Sequence, residues 1–457
     1  MFSAQTYIER RNALKRSVGN GIILIMGNEE SPMNYHDNTY RYRQDSNFLY
    51  FFGISLAGLS AIIDIDSGEE IIFGNEFSID DIIWVGPQPT LNDQARKVGI
   101  YRTETPEKLP ERIKKASKVH FTPPYRYDNM FRLSEWLSIP VAQLKEKSSV
   151  ELIKSIVALR SIKTAEEIVQ MEHAVNISRE MHITAMQKTK AGMKEYEIAA
   201  RIHEKALEHG GELAYPIIFS VNGQTLHNHY HGNTMTSGRL VINDSGAENA
   251  MFYAGDITRT IPVSKKFTEK QKEIYNIVLK MEVDSIAALK PNVQYREVHL
   301  SANKILLEGM KDLGFLNGNV DEMLSEGVQG LFMPHGLGHA IGLDVHDMED
   351  LGENYVGYRE GLERSTQLGL KSLRLAKELA VGNVLTVEPG IYFIPELIDK
   401  WKVENKFTNF INYSKLEAYK DFGGVRIEDN CLITPTGSET LGKPIPKTVV
   451  EVEALRD

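Results

Sequence analysis

Four carboxylates and one imidazole in the second half of the chain are the residues whose types could do chemistry together. Each lies beside a glycine or in an apolar run typical of a strand, so a rigid sheet could carry each side chain. Oxygen-rich ligand sets suit Mn²⁺ better than the thiolate-rich sets of structural zinc sites do. The pattern predicts a site for two divalent ions, with Mn²⁺ as the expected metal, and its ligands are Asp244, Asp256, His339, Glu388 and Glu428.

The segments around these residues resemble those of a known family. VINDSGAE, AGDITRT, PHGLGHAIGLDVHD, LTVEPGIYF and GGVRIEDN are similar to motifs of the pita-bread metallopeptidases. The match is to the proline-specific branch, aminopeptidase P and prolidase, and it extends back to RYRQDSNFLYFFG at residues 41–53. Creatinase has the fold but lacks the metal ligands. Methionine aminopeptidase has the ligands but reads FHE where this chain reads VHD, at residues 345–347.

The resemblance implies a role for each ligand. Asp256 and Glu428 would bridge the two ions. Asp244 would bind one ion, while His339 and Glu388 would bind the other. Four carboxylates carry a charge of −4 and two dications a charge of +4, so the charges balance. Two such ions can activate a water molecule for attack on a carbonyl, and Glu388 is the expected proton acceptor.

Four further residues are expected to serve the substrate or the ligands. By resemblance, His346 would donate a hydrogen bond to the oxyanion of the tetrahedral intermediate. His227, in QTLHNHYHGN, would hold the substrate. His335 opens the HGLGH segment and is expected to line the pocket. Arg426 precedes Glu428 by two residues, so both would point to one face of a strand, where the arginine could orient the carboxylates.

The substrate class follows from the family, and the resemblance implies peptides with proline at the second position. A bond between any residue and proline (Xaa-Pro) has no N–H, so recognition must use the ring shape and the carbonyls. Xaa-Pro aminopeptidase is the favoured activity, because the N-terminal part resembles aminopeptidase P. Xaa-Pro dipeptidase (prolidase) is the alternative, because the long stretch between Glu388 and Glu428 looks like prolidase. Arg374 would then bind the C-terminal carboxylate of a dipeptide, unless it is an ordinary exposed arginine.

Two other interpretations fit the same residues less well. A binding protein with this fold but without catalysis is disfavoured, since every ligand is present. A separate zinc site at His229 and His231 is disfavoured because no cysteine accompanies them.

Length and composition limit the classes of protein. A chain of 457 residues exceeds one typical core, so two domains are expected. No apolar run is long enough for a membrane span, and the N-terminus lacks the apolar region of a secretory signal. The net charge of −10 gives no indication of a basic surface for binding nucleic acid. A single cysteine, Cys431, indicates a reducing compartment, so a cytoplasmic location is expected.

The elements that must position these residues follow from local patterns. GIILIMG and LSAIIDID read as buried strands. Thr164 with Glu167 predicts the start of a helix, a second helix leads to Gly210, and strands should dominate after Tyr215, interrupted by a helix in KQKEIYNIVLKMEVDSIAAL. The strand ending at Asp244 should pair as a hairpin with a strand that contains Asp256.

The predicted fold class is an α/β N-terminal domain followed by an α+β pita-bread catalytic domain. The expected boundaries are residues 1–155 and 156–457. A homo-oligomer is also predicted, in which the N-terminal domain narrows access to the site. This prediction depends on the aromatic segment FLYFFG and on Trp84 in IIWVGP, because relatives use this domain for assembly.

Overall fold

The computed structural model describes residues 1–456, which form two compact units. The first unit comprises residues 1–160 with 348–355, and the second comprises residues 161–347 with the chain from residue 356 onward. Each unit has a hydrophobic core of its own.

The first 161 residues alternate helices and strands. In chain order they are α1 (Ala4–Val18), β1 (Ile22–Met26), α2 (Ser46–Phe52), β2 (Ser60–Asp64), β3 (Glu70–Phe73), α3 (Ile79–Val85), α4 (Leu91–Lys97), β4 (Thr103–Glu104), α5 (Leu109–Lys115), β5 (Val119–His120), α6 (Tyr127–Leu137), α7 (Leu144–Lys147) and α8 (Val150–Ser161).

A five-stranded mixed sheet organises the first unit, with the strand order β4-β3-β2-β1-β5. The two predicted buried strands are confirmed as β1 and β2, which pair antiparallel with Ile22 opposite Asp64. Their consecutive side chains are buried, which is typical of strands covered on both faces. Gly21 opens β1 with a φ of +80°, a backbone conformation that favours glycine.

The rest of the chain has longer helices and short strands. In chain order they are α9 (Ala165–Lys188), α10 (Glu195–Glu208), β6 (Glu212–Leu213), β7 (Ile218–Ser220), β8 (Leu240–Asp244), β9 (Ala247–Glu248), β10 (Thr258–Pro262), α11 (Glu269–Ala288), α12 (Tyr295–Asp312), α13 (Val320–Glu326), α14 (Glu353–Val356), β11 (Val384–Val387), β12 (Gly390–Tyr392), α15 (Pro395–Val403), α16 (Tyr413–Glu417), β13 (Gly424–Arg426), β14 (Asp429–Ile433), β15 (Ser438–Thr440) and α17 (Val449–Ala454).

The predicted starts and ends of the helices in the second unit are largely confirmed. The Thr164 side chain accepts the Glu167 N–H, and the Glu167 carboxylate accepts the Thr164 N–H, so the capping box at the start of α9 is complete. Helix α10 ends at Glu208, just before Gly210, whose φ is +72°. The helix predicted in KQKEIYNIVLKMEVDSIAAL is α11. None of the helices that the structure describes is long and apolar enough to cross a membrane.

The expectation that strands dominate after Tyr215 is wrong. Helix α12 was not predicted, although its buried residues Val298, Ala302, Leu306 and Met310 recur at helical spacing. The strands of this unit form small sheets, ordered β10-β8-β7, β11-β14-β15, β12-β13 and β6-β9. Their ends hold the candidate site.

Candidate metal centre

All five predicted ligands lie in one buried cluster. Suitable ligand atoms of Asp256, His339 and Glu428 lie within 4.8 Å of one another. The His339 Nε2 atom lies 3.4 Å from Asp256 Oδ2 and 3.6 Å from Glu388 Oε1. Asp244 joins the group because the Tyr215 hydroxyl contacts both Asp244 Oδ1, at 2.7 Å, and Asp256 Oδ1. Residues far apart in the sequence thus meet in one place.

The first two ligands come from a pair of antiparallel strands, as predicted, but Asp256 lies outside its strand. Asp244 is the last residue of β8 and pairs with Thr258, the first residue of β10, so Asp256 precedes that strand by two positions. The connection is no tight turn, because it contains β9, which pairs with the distant β6. Asn430 fixes the Asp256 backbone by accepting its N–H at 3.0 Å and donating to its carbonyl at 2.6 Å.

The segment that carries His339 runs beside β11 and leads to Glu388. The Thr386 N–H donates to the His339 carbonyl at 2.9 Å, and the His339 N–H donates to the Thr386 hydroxyl at 3.0 Å. The Glu388 N–H donates to the Leu337 carbonyl at 2.8 Å. This ladder fixes the two ligands relative to each other. Glu388 follows the last residue of β11, in agreement with its predicted place at a strand end.

Arg426 and Glu428 do not share a strand, which corrects the prediction. Arg426 ends β13 and Asp429 begins β14, so Glu428 lies between the two strands. Their side chains still converge, because the Thr258 hydroxyl donates to Glu428 Oε2 at 2.6 Å and accepts from Arg426 Nε at 3.2 Å. Arg426 also forms a buried ion pair with the Asp244 carboxylate.

Crowding of buried carboxylates makes their ionisation unfavourable. Burial, and then the nearby charges, raise the pKa of Glu388 to about 8 and hold the pKa of Glu428 well above its usual range. Burial also raises the pKa of Asp244, against the attraction of Arg426. Burial opposes the ionisation of Asp256 too, yet the hydrogen bond and charge of His339 keep its pKa below the usual value. The cluster thus has an excess of negative charge that cations would relieve.

The donor atoms fit divalent cations. Glu428 Oε1 is buried and has no hydrogen-bond partner among the described residues, so it is available as a ligand. His339 Nδ1 contacts the carbonyl of the next residue at 3.1 Å, so a proton on Nδ1 would leave the Nε2 lone pair available to a cation that replaces the Nε2 proton. The oxygen-rich set with one imidazole is the one that Mn²⁺ and similar ions prefer.

Comparison with known proteins gives the family. The model of metallopeptidase family M24 matches residues 169–435, and the model of the aminopeptidase P N-terminal domain matches residues 7–121. The chain belongs to metallopeptidase family M24. It is 33% identical to the Xaa-Pro dipeptidase of Homo sapiens, over 95% of this chain and 88% of that protein. It is also 33% identical to a probable Xaa-Pro aminopeptidase of Fusarium vanettenii, over 95% and 92% of the two chains.

A solved structure extends the match to the whole chain. Aminopeptidase P of Escherichia coli, with the inhibitor Pro-Leu, has a TM-score of 0.82 and 28% identity, and the match covers 100% of this chain and 98% of that one. The predicted fold class is therefore confirmed: an N-terminal domain of the aminopeptidase P type and a pita-bread catalytic domain. The predicted class of enzyme, a metallo-exopeptidase, is confirmed by the same comparisons.

His346 and His227, the two histidines of this M24 chain that were predicted to contact substrate, both lie near the cluster. The His346 ring packs against the His339 ring at an angle of 67°, with a centroid distance of 4.3 Å. Partial burial lowers the pKa of the His227 imidazole, although the residue is exposed by surface area, and the charge of Asp244 opposes that shift. His346, Arg374 and Arg426 lower it further, so the predicted Arg374 lies within electrostatic range of the His227 ring.

His335 has a polar role beside Tyr392 and Arg426. Its Nδ1 contacts the Gly336 carbonyl at 2.7 Å and its Nε2 contacts the Tyr392 hydroxyl at 2.9 Å. Arg426 donates to the same hydroxyl at 2.7 Å. Burial lowers the pKa of His335 to about 3, so its ring is neutral. With Nδ1 donating to the carbonyl, Nε2 accepts from Tyr392, which orients Arg426 toward the ligands.

The alternative zinc site is not formed. The His229 side chain is exposed, and His231 Nε2 contacts the Ile217 carbonyl at 3.0 Å. In the part of the chain that the structure describes, the only metal-binding group found is the one that contains Asp256, His339 and Glu428.

Sequence reasoning missed the neutral residues that hold the ligands. Tyr215, Thr258 and Asn430 contact ligand side chains or backbone but are not metal ligands themselves. Tyr215 lies 29 positions before Asp244, in a segment without a motif. The only available signal was position, since Thr258 and Asn430 each lie two residues after a ligand.

Proposed function

We propose that this chain hydrolyses the bond between an N-terminal residue and a following proline, with two divalent ions. The observation that supports this function is the buried group of Asp256, His339 and Glu428, in which Glu428 Oε1 has no partner among the described residues. The carboxylates of Asp244 and Glu388 lie beside this group. The proline preference rests on the relatives, which are Xaa-Pro dipeptidases and probable Xaa-Pro aminopeptidases.

We assign the ligands as the resemblance implies. Asp256 and Glu428 would be shared by the two ions, Asp244 would hold one ion, and His339 and Glu388 would hold the other. We take Mn²⁺ as the metal, because it suits an oxygen-rich site. When bound, the pair of ions supplies an acidified water and polarises the scissile carbonyl.

The side chains of the chain itself handle the protons and the substrate. Glu388 accepts the proton of the attacking water. His346, which packs on the ligand His339, donates to the oxyanion of the tetrahedral intermediate. His227 binds the substrate carbonyl. Imidazole donors suit this substrate, because the tertiary amide of an Xaa-Pro bond has no N–H to recognise.

The length of the accepted peptide separates two candidates. We favour the aminopeptidase, which cleaves longer Xaa-Pro peptides, because aminopeptidase P matches the chain from end to end. Arg374 favours the dipeptidase as the second candidate. It lies within electrostatic range of His227, where its guanidinium could pair with the free carboxylate of a dipeptide.

Arg374→Ala tests this choice. A charge-assisted hydrogen bond is worth roughly 1.5–3 kcal/mol, or about 10–150-fold in kcat/KM. In a dipeptidase, the substitution should lower cleavage of Xaa-Pro by that factor and spare any cleavage of longer peptides. In an aminopeptidase, it should affect both substrates alike, and the wild type should cleave a tripeptide at least as fast as a dipeptide. Arg364→Ala is the matched control, because Arg364 is exposed and lies, like Arg374, in the connection between α14 and β11.

Three broader features remain proposals. We place the boundary between the N-terminal and catalytic domains at residue 155. The protein assembles as a homo-oligomer in which the N-terminal domain restricts access to the site. A cytoplasmic location is consistent with Cys431, the one cysteine, which is buried and free.

A further inference from the structure

A buried ion pair lies directly after the histidine that we assign to the oxyanion. Lys163 Nζ is 2.9 Å from Asp347 Oδ2, and the two side chains are only 2% and 1% exposed. Two charges are costly to remove from water, and apolar residues of the same size are often no less stable there. Stability alone is therefore a weak explanation for this pair. Its position beside His346 offers another.

Asp347 closes the short turn that separates His339 from His346. Its N–H donates to the Ala340 carbonyl at 2.9 Å, and its Oδ1 accepts the Asp344 N–H at 3.3 Å. Gly342 makes room for the carboxylate, since a Cβ there would stand 2.6 Å from Asp347 Oδ2. The Asp347 carboxylate thus supports the turn, at the residue next to His346.

Lys163 belongs to a rigid part of the second unit. Its N–H donates to the Gly382 carbonyl at 2.8 Å, two residues before β11. The next residue, Thr164, is the N-cap of α9 and completes the capping box. The ammonium therefore extends from a fixed point of the backbone, and the ion pair connects that point to the turn.

We propose that Lys163 is a positioning residue that acts through Asp347 to hold His346 where its imidazole can reach the oxyanion. This inference rests on the role that the proposed function gives to His346. Lys163 would act through its ion pair with the Asp347 carboxylate. Its ion pair keeps the turn from relaxing, so that the His346 ring stays packed on His339 at 4.3 Å.

A double-mutant cycle between Lys163 and His346 tests the proposal. His346→Ala should lower kcat by about 10²–10³-fold and leave bound Mn²⁺ unchanged. Lys163→Met should lower kcat by up to about 10²-fold, the effect of a misplaced catalytic group, with KM and metal content nearly unchanged. If Lys163 acts only through His346, the same substitution in the His346→Ala background should change kcat by no more than about twofold.

A second pair of variants separates the loss of the ion pair from the damage that an unpaired buried charge would do to folding. Lys163→Met leaves a buried carboxylate without its cation, whereas Lys163→Met with Asp347→Asn leaves no charge and keeps an acceptor for the Asp344 N–H. The neutral double variant should lower kcat as the single variant does, again only when His346 is present. Lys377→Met is the matched control: this lysine is half-buried, its pKa is lowered by burial and then by the charge of Lys163, and the described residues offer it no ion pair. It should retain wild-type kcat.

The outcomes distinguish the positioning role of Lys163 from the oxyanion role of His346. An equal loss of kcat in the wild-type and His346→Ala backgrounds would overturn the positioning role and indicate general structural damage. A His346→Ala enzyme with wild-type kcat would instead refute the oxyanion role in the proposed function. A neutral double variant with wild-type kcat would show that the ion pair does not position His346.

Discussion

The buried carboxyl groups of the metal centre compete for protons as well as for cations. Burial raises the pKa of Asp244, of Glu388 to about 8, and of Glu428. In the metal-free protein near neutral pH, Glu388 therefore carries a proton that a metal ion must displace. A ligand whose pKa is raised binds protons in the range where the metal is expected to bind, so the two equilibria are linked.

Mn²⁺ affinity should rise with pH through about pH 8, the pKa of Glu388 in the metal-free protein. Affinity rises with pH because a carboxyl group must lose its proton before it binds the metal, and fewer protons remain to be displaced at higher pH. Calorimetric titration of the metal-free protein with Mn²⁺ checks this, and buffers with different ionisation enthalpies report the protons released. Affinity that does not change between about pH 6 and pH 8 would contradict the prediction.

Tyr215→Phe should weaken Mn²⁺ binding by about 10–100-fold, the usual effect of removing a group that orients metal ligands. The hydroxyl has one proton and two carboxylate neighbours, Asp244 and Asp256, and burial holds its own pKa well above the usual value. It therefore acts as a neutral donor. At saturating Mn²⁺, kcat should stay near that of the wild type.

Tyr230→Phe is the control for this substitution, because the Tyr230 side chain is exposed. Calorimetric titration of both variants gives the comparison. Equal Mn²⁺ affinity in the Tyr215 and Tyr230 variants would refute an orienting role for the Tyr215 hydroxyl.

At the scale of the elements, the local sequence was sufficient to predict those helices and strands that form without help from distant segments. The capping box at Thr164 and the buried strands around Ile23 and Ile62 follow from such patterns. The location of Asp256 outside β10 could not be predicted, because β9 is held by the distant β6. The same holds for Glu428, which a bridge to Thr258 fixes between two strands.

The ligands themselves were predictable because their types and flanking segments are distinctive, whereas their supports were not. Tyr215 and Asn430 matter only through contacts with residues 29 and 174 positions away. Nothing in their local sequence reports such contacts. The ion pair between Lys163 and Asp347 joins residues 184 positions apart and was equally invisible.

Gly338→Ala should disrupt the contact between the His339 segment and β11. A Cβ at Gly338 would stand 2.1 Å from the Thr386 carbonyl oxygen and 2.6 Å from the Tyr295 hydroxyl. Neither group can move freely, because the Tyr295 hydroxyl itself donates to that carbonyl at 2.7 Å. Overpacking of this kind lowers the free energy of unfolding by about 1–3 kcal/mol, and the shifted His339 should also bind metal more weakly.

Urea unfolding of the metal-free protein and Mn²⁺ titration measure the two effects. Gly437→Ala is the control, because the nearest atom to its added Cβ is 3.9 Å away. A Gly338→Ala protein with the stability and metal affinity of the control would contradict the close packing of these two segments.

At the scale of the whole molecule, the structure separates the two features that suggested assembly. The aromatic residues Phe48, Tyr50 and Phe52 are buried within the first unit, so they serve its core. Helix α3 differs, since none of its residues is buried, and Ile83 and Trp84 are 70% and 86% exposed. A contiguous apolar surface of this kind marks an interaction site more often than a solvated face.

The proposed homo-oligomer should therefore depend on α3. A helix this short is marginal without packing partners, and its capping box at Ser78 and Asp81 fixes its start while leaving its apolar side chains uncovered. Burial of Trp84 and Ile83 between copies of the chain would supply the missing packing.

Light scattering of the wild type at micromolar concentration should report more than one chain, and Trp84→Glu should shift the mass toward that of a single chain. Tyr101→Glu, at a comparably exposed aromatic outside α3, should leave the mass unchanged. A wild type that is monomeric and fully active would refute the assembly, and a Trp84→Glu protein that keeps the wild-type mass would exclude Trp84 from the interface.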